Sequence, residues 1–162
     1  MLKAIILAGL ILAQLPLAAT AVLGRPKRTA RRVLVSGSGI STSDSASGTF
    51  VVLATGDSAR LGRLTLKAQG ISAPADSILS FTGAATLVAD NGDELTGTFE
   101  GTSTPLSGKG DATFLLTITG GSGRFQDASG TMNVIEHREL MATHHTLLVY
   151  CNQFTGGGTL SY

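Results

Sequence analysis

The sequence predicts an all-β protein, a small closed antiparallel β-barrel of about eight strands behind an N-terminal signal peptide. Three observations predict it. The 162 residues include 21 glycines, no tryptophan and only 14% charged residues, against roughly 25% in an average soluble protein. Helices with a solvated face would need more Glu, Lys, Gln and Arg than this. From residue 33 onward the chain falls into short runs with a period of two, the spacing of half-buried strands. Gly, Asn, Asp and Ser punctuate those runs at turn positions.

The first residues read as an export signal. Lys3 supplies the positive start, Ala4 to Leu12 is apolar, Gln14 and Pro16 interrupt it, and Ala19-Thr20-Ala21 is a small-x-small cleavage pattern. Residues 1–21 are therefore expected to be removed, and the protein is expected to be secreted or periplasmic. The other reading is an uncleaved anchor, because Ala4 to Leu23 is long enough to span a bilayer. In that case alone would the chain have a membrane attachment. Residues 22–32, with Arg25, Lys27, Arg28, Arg31 and Arg32, read as a basic, disordered linker, and residues 33–162 as one β-barrel domain.

The strands are expected in order at Val33–Val35, Thr49–Thr55, Leu61–Ala68, Ile78–Val88, Glu94–Thr102, Ala112–Thr119, Gly130–Ile135, Thr146–Tyr150 and Thr159–Tyr162. Leu64, Leu66 and Ala68 share one face of their run. So do Leu79, Phe81, Ala85 and Leu87, then Leu95, Gly97, Phe99 and Gly101, and then Phe114, Leu116 and Ile118. Asn91-Gly92 is a strong hairpin turn signal. The segment His137–His145 stays unassigned between a short helix and a hairpin loop.

Charge and cysteine content exclude some function classes. From Val33 onward there are six basic and 11 acidic residues, a net of −5 with His neutral. A mildly acidic domain argues against a nucleic-acid partner. The single cysteine, Cys151, rules out an internal disulfide framework and reads as an inert thiol on a strand.

The chemistry-bearing patterns are weak. Gly120-Gly121-Ser122-Gly123 lacks the Gly-Lys-Ser/Thr and following helix of a phosphate loop, and Gly37-x-Gly39 lacks a βαβ setting. His137, His144, His145 and Cys151 fit no standard metal spacing, and Asp90, Asp93 and Glu94 read as turn residues rather than a calcium site. No metal and no cofactor is expected. Glu100, with Arg60 and Arg63 as possible counter-charges, is the weak catalytic candidate. It becomes a perturbed carboxylate only if the face opposite Leu95 and Phe99 lines a cavity, and otherwise it is an outward Glu among threonines.

Ile118–Gly130, ITGGSGRFQDASG, is the most specific stretch. Gly120, Gly121, Gly123, Phe125, Ala128 and Gly130 form a Gly-Gly-x-Gly-x-Phe-x-x-Ala-x-Gly pattern in which Phe125 folds back as a plug. This resembles the signature of the allene oxide cyclase and dirigent-like barrels and of a set of exported bacterial proteins. Ala59-Arg60-Leu61-Gly62-Arg63-Leu64-Thr65 is similar to a Leu-Gly-Arg-Phe-Thr segment of that bacterial set, which commonly has His in the place of Arg60. Gly158–Tyr162 is similar to its last strand. The resemblance spans most of Thr49–Tyr162. It implies an eight-stranded barrel with an interior cavity, often assembled as a homo-oligomer. It also implies a hydrophobic substrate, confined and oriented rather than attacked. No catalytic residue is carried over from it.

Two functions follow as expectations. One is non-catalytic binding of a small apolar ligand, or a structural or interaction role. The other is a cyclase- or dirigent-like steering of a reactive hydrophobic intermediate, which would make the protein an isomerase. The export signal has its own check: N-terminal sequencing of the protein recovered from the periplasm or medium of its host should begin at Val22, and an intact Met1 start would favour the anchor.

Overall fold

The computed structural model describes residues 29–104 and 108–162. The expected signal peptide 1–21, its cleavage after Ala21 and residues 22–28 of the expected basic linker lie outside the described residues. The strands are β1 (Arg31–Asp44), β2 (Thr49–Ser58), β3 (Gly62–Ala75), β4 (Ile78–Ala89), β5 (Glu94–Ser103), β6 (Lys109–Gly121), β7 (Ser129–His144) and β8 (Leu147–Ser161). Each pairs antiparallel with its neighbour in sequence, and β8 pairs with β1, so the sheet is a closed eight-stranded barrel.

The inward faces predicted for β3 to β6 are the observed ones. Leu64, Phe81, Ala85, Leu87, Leu95, Phe99, Leu116 and Ile118 are all buried. Most strands run past the expected bounds, β2 to Ser58, β3 to Ala75 and β6 from Lys109 to Gly121, and three of the differences have a clear physical reason. β1 opens at Arg31, so Arg31 and Arg32 belong to the barrel rather than the linker, and it runs on to Asp44. Its inward residues past Val35 are Gly37, Gly39, Ser41 and Ser43, too small and polar to show a hydrophobic alternation. The two runs expected at 146–150 and 159–162 are one strand, β8, because Gly156 and Gly158 continue it inward where a side chain would strike β7. β7 absorbs the unassigned segment up to His144, with an irregularity between Leu140 and Ala142 that leaves Met141 exposed.

One end of the barrel is stoppered. Between β6 and β7 a single 3-10 turn, Gly123–Phe125, folds Phe125 back under the strands, where it is fully buried. It packs in a cluster with Val33, Leu61, Leu95, Met132 and Leu160, and its ring meets Tyr162 edge to face at 5.1 Å. The turn is held by Phe125 N–H to the Ser122 carbonyl (3.0 Å) and Ala128 N–H to the Phe125 carbonyl (2.8 Å). Arg124 fastens it from outside. Its guanidinium donates to the Leu61 carbonyl at 2.8 Å, pairs with Asp93 at 3.5 Å and lies 4.5 Å over the Phe125 ring. Gly130, at φ +147°, takes the chain back into β7 against the Thr159 carbonyl, where no Cβ fits. The Gly-rich motif is thus a structural stopper, built from the residues singled out in the sequence.

The middle of the barrel is closed by four rings. Phe50, Phe81, Phe114 and Phe99 contact one another in a cycle, with centroids 5.7–5.9 Å apart and near-perpendicular or tilted planes. The inward glycines Gly83 and Gly101 make room for it, since a Cβ at either would collide with the Phe99 or Phe114 ring.

Because Phe125 fills its site completely, Phe125→Ala should leave a cavity that the closed hoop cannot collapse. The expected cost is about 3–5 kcal/mol, read as a fall in the urea midpoint at unchanged m-value.

Candidate functional site

Among the described residues, the end of the barrel opposite the Phe125 stopper is open. There a chamber of about 520 Å³ is lined at its mouth by the Ser45–Gly48 turn and by Ala73 and Pro74 of β3. The Phe50, Phe81 and Phe114 rings form its floor, and hydroxyls of Ser41, Ser43, Ser47 and Ser72 line one side. A smaller cavity of about 80 Å³ lies beyond the rings, lined by Leu66, Phe99, Leu116 and Phe154 among others. The rim is tied down locally. Asp44 accepts from Ala46 N–H and Ser47 Oγ, both at 3.0 Å, and Ser45 N–H donates to the Thr146 carbonyl at 2.8 Å. The Ala46 N–H, followed by the Thr146 and Ser47 side chains, holds the Asp44 carboxyl below the usual carboxylate range.

The other side of the chamber carries charge. β7 continues its inward alternation from Met132 and Val134 to Glu136 and Arg138, so two ionisable side chains point into the barrel. Their side chains are only 10% and 9% exposed, and Arg138 Nε lies 3.7 Å from Glu136 Oε2. That distance makes an ion pair but is too long for a hydrogen bond. The Arg138 guanidinium sits 4.9 Å over the Phe81 ring and 5.9 Å from the Tyr150 ring.

Burial outweighs attraction in this pair. Desolvation pushes the Glu136 carboxyl up from its ordinary value, with Arg138 offsetting only part of it. Desolvation likewise pushes Arg138 down, partly offset by Glu136 and Tyr150. Some buried polar atoms nearby also stand without a partner. Among the described residues, the buried side-chain polar atoms with no hydrogen-bond partner are Ser103 Oγ, Arg138 Nε, Arg138 Nη2 and Asn152 Nδ2. All four belong to inward-facing residues of the open half, and all can donate.

The sequence candidates lie elsewhere. Glu100 is exposed on the outer wall, opposite Thr82 and Leu115, in a shallow depression with Thr102 and Asn133. The condition that would have made it a site is therefore not met. Arg60 and Arg63 are exposed at the β2–β3 turn of the stoppered end, where Arg63 pairs with Asp57 at 3.7 Å. The structure does not bring these three together. His137 pairs with Asp111 on the outer wall, the His144 and His145 rings meet edge to face at the β7–β8 turn, and Cys151 is half-buried opposite Glu139. Among the described residues no cluster of three or more His, Cys, Asp and Glu side chains is placed to hold a metal ion.

Sequence reasoning missed Glu136 and Arg138 because it ended the strand at Ile135. The signal was present: the even-numbered alternation Met132, Val134, Glu136, Arg138 continues unbroken through charged residues.

Compared with known proteins, the chain matches no protein-family model and no curated sequence.

Removing one partner of a buried pair strands the other, at a cost of about 3–5 kcal/mol. Arg138→Met is expected to lose that much at neutral pH. The loss should shrink on acidification, because the folded-state pKa of Glu136, already above 4.5, rises further without Arg138. The folded state then binds more protons than the unfolded one, so stability is regained as pH falls through the raised value toward 4.5. Urea melts from pH 7 to 4.5 check this, and a pH-independent difference from the parent protein would refute it. Glu136→Leu combined with Arg138→Met should restore most of the loss at pH 7.

Proposed function

We propose that this chain is an exported binding protein that holds a small, largely apolar molecule in the open chamber of its barrel, without converting it. The observation that carries this reading is the ring-floored chamber of about 520 Å³. Small-molecule sites run to about 300–1,000 Å³, mostly apolar with a few placed polar groups. The stopper and the ring cycle support it, because they leave the open end as the route in. Export rests on the leader pattern from Lys3 to Ala21. The net negative barrel argues against a nucleic-acid partner, and assembly as a homo-oligomer remains part of the proposal through the family resemblance.

A second reading has its own observation. In a cyclase- or dirigent-like barrel of the kind the GGSGRF stretch resembles, a reactive intermediate is confined among apolar walls beside a few charges. The buried Glu136–Arg138 pair supplies such charges. An enantiomeric excess in a product that forms as a racemate without the protein would favour this reading over simple binding.

The binding reading is tested with the neutral fluorophore N-phenyl-1-naphthylamine. Saturable, one-to-one enhancement is expected. Ser43→Trp, which fills the chamber, should abolish it, while Ile40→Trp on the outer wall should leave it intact. Equal binding by both variants would move the site off the chamber.

A further inference from the structure

The unpartnered donors near the chamber are out of reach of anything inside it. Arg138 Nε, Arg138 Nη2 and Asn152 Nδ2 are all enclosed. The Glu136 carboxyl stands differently. Glu136 is an inward residue of β7, 8% exposed, and it lines both the chamber and the inner cavity of about 80 Å³ beyond the rings. Among the described residues lining that inner cavity, it alone has a polar side chain. Among the described residues no hydrogen bond reaches its carboxyl, and Arg138 Nε, 3.7 Å from Oε2, is an ionic contact only. Yet neither carboxyl oxygen is one of the enclosed, unpartnered atoms. Both oxygens therefore keep open surface, and on an inward residue that surface faces the interior. The floor of the chamber thus holds an acceptor that no described residue satisfies. The serine wall points the same way. Ser41 Oγ donates to Asn152 Oδ1 at 3.3 Å, Ser47 Oγ to Asp44 at 3.0 Å and Ser72 Oγ to the Gly48 carbonyl at 3.1 Å. A hydroxyl carries one hydrogen, so these three have only lone pairs left for an occupant.

We propose that the ligand of this chamber is a neutral, compact apolar molecule carrying a hydroxyl or N–H group, which it donates to the Glu136 carboxylate while its body lies on the Phe50, Phe81 and Phe114 rings. This rests on the chamber being a ligand site and names the chemistry of its occupant. The ion pair sets the charge of that occupant. An anion would place its oxygens against those of Glu136 and against serines whose hydrogens are already given. An ammonium would meet Arg138, whose charge already compensates Glu136, and would bring an unbalanced charge in among the rings. A neutral donor meets neither penalty, and its bond to an ionised acceptor is stronger than one to a neutral acceptor. The cavity beyond the rings holds only about 80 Å³, so the apolar body ends at the floor and is compact rather than long.

The test presents one hydrocarbon cage with different polar groups: 2-adamantanol, 2-adamantanone, 1-adamantanecarboxylate and 1-adamantanammonium, each in calorimetric titration with the purified full-length chain at pH 7. The alcohol is expected to bind one to one, at least tenfold more tightly than the ketone, which has the same shape but only accepts. The carboxylate and the ammonium should both bind more weakly than the alcohol. Glu136→Leu combined with Arg138→Met removes the acceptor and its counter-charge together, and should erase the preference for alcohol over ketone while ketone binding persists. Equal affinity for alcohol and ketone overturns the proposal, as does a tighter ketone, the result expected of a protonated Glu136. A carboxylate or ammonium that outbinds the alcohol overturns it too, and so does an alcohol preference that survives in the double variant. If N-phenyl-1-naphthylamine binds and the alcohol does not at millimolar concentration, the donor chemistry is wrong and the chamber stands. If neither binds, both readings fall. The alcohol–ketone comparison on the unaltered protein decides the matter even where the variant does not fold.

Discussion

All 14 residues of β1 pair with β8, and that seam is what turns a row of hairpins into a barrel. Without it β1 and β8 would be edge strands with unpaired backbone groups. The single Cys151 offers no internal disulfide to close the hoop instead. Small residues make part of the seam: Gly37, Gly39, Ser41 and Ser43 face inward from β1, and Gly156 and Gly158 face inward from β8. Val33 and Val35 of β1 and Tyr150, Phe154 and Leu160 of β8 supply the apolar part of the same inner face. What holds this side of the barrel is the ladder of main-chain hydrogen bonds, supplemented inside by Ser41 and Asn152.

The closed hoop divides into two ends with different physics. At the stoppered end Phe125, Leu61, Leu95, Met132 and Leu160 are almost completely buried, and the polar groups around them are matched by Arg124 and the turn backbone. At the open end the inward residues include serines, rings, Val52, Leu79 and one ion pair, and four buried polar atoms there have no hydrogen-bond partner among the described residues. Stability is concentrated in the first half. The second half keeps buried charges whose desolvation exceeds their mutual attraction, a cost that a folded domain tolerates only where the rest of the structure supplies the surplus.

Much of this architecture was legible in the sequence. Where large apolar residues alternate, as at Leu64-x-Leu66 or Phe114-x-Leu116-x-Ile118, the inward face and the strand were both readable. The plug was readable too, because a phenylalanine after closely spaced glycines has few places to go. The serine- and glycine-rich length of β1 and the glycine run of β8 were not, since their inwardness is set by partners across the ladder rather than by hydrophobicity. The site was hidden for a related reason. Glu136 and Arg138 are polar residues pointing inward, while Ile135 beside them is 46% exposed, so local pattern and true orientation disagree. Glu100 shows the same limit from the other side: its pattern fits an outward carboxylate as well as a lining one, and only the closed sheet decides.

The seam that closes the barrel also governs when it closes. Ser41 and Asn152 meet across 111 positions of chain, whereas every other strand pair joins neighbours in sequence. Hairpins such as β4–β5 form from short loops, but the last pairing carries the entropy of the whole intervening chain. β1, the first strand made during synthesis, waits with one flank unsatisfied until β8 arrives. Both strands spend that interval as exposed edges that carry large apolar side chains, Leu34 and Ile40 on β1 and Leu147 and Phe154 on β8, so until the seam closes they are the part of the chain most open to pairing with another strand.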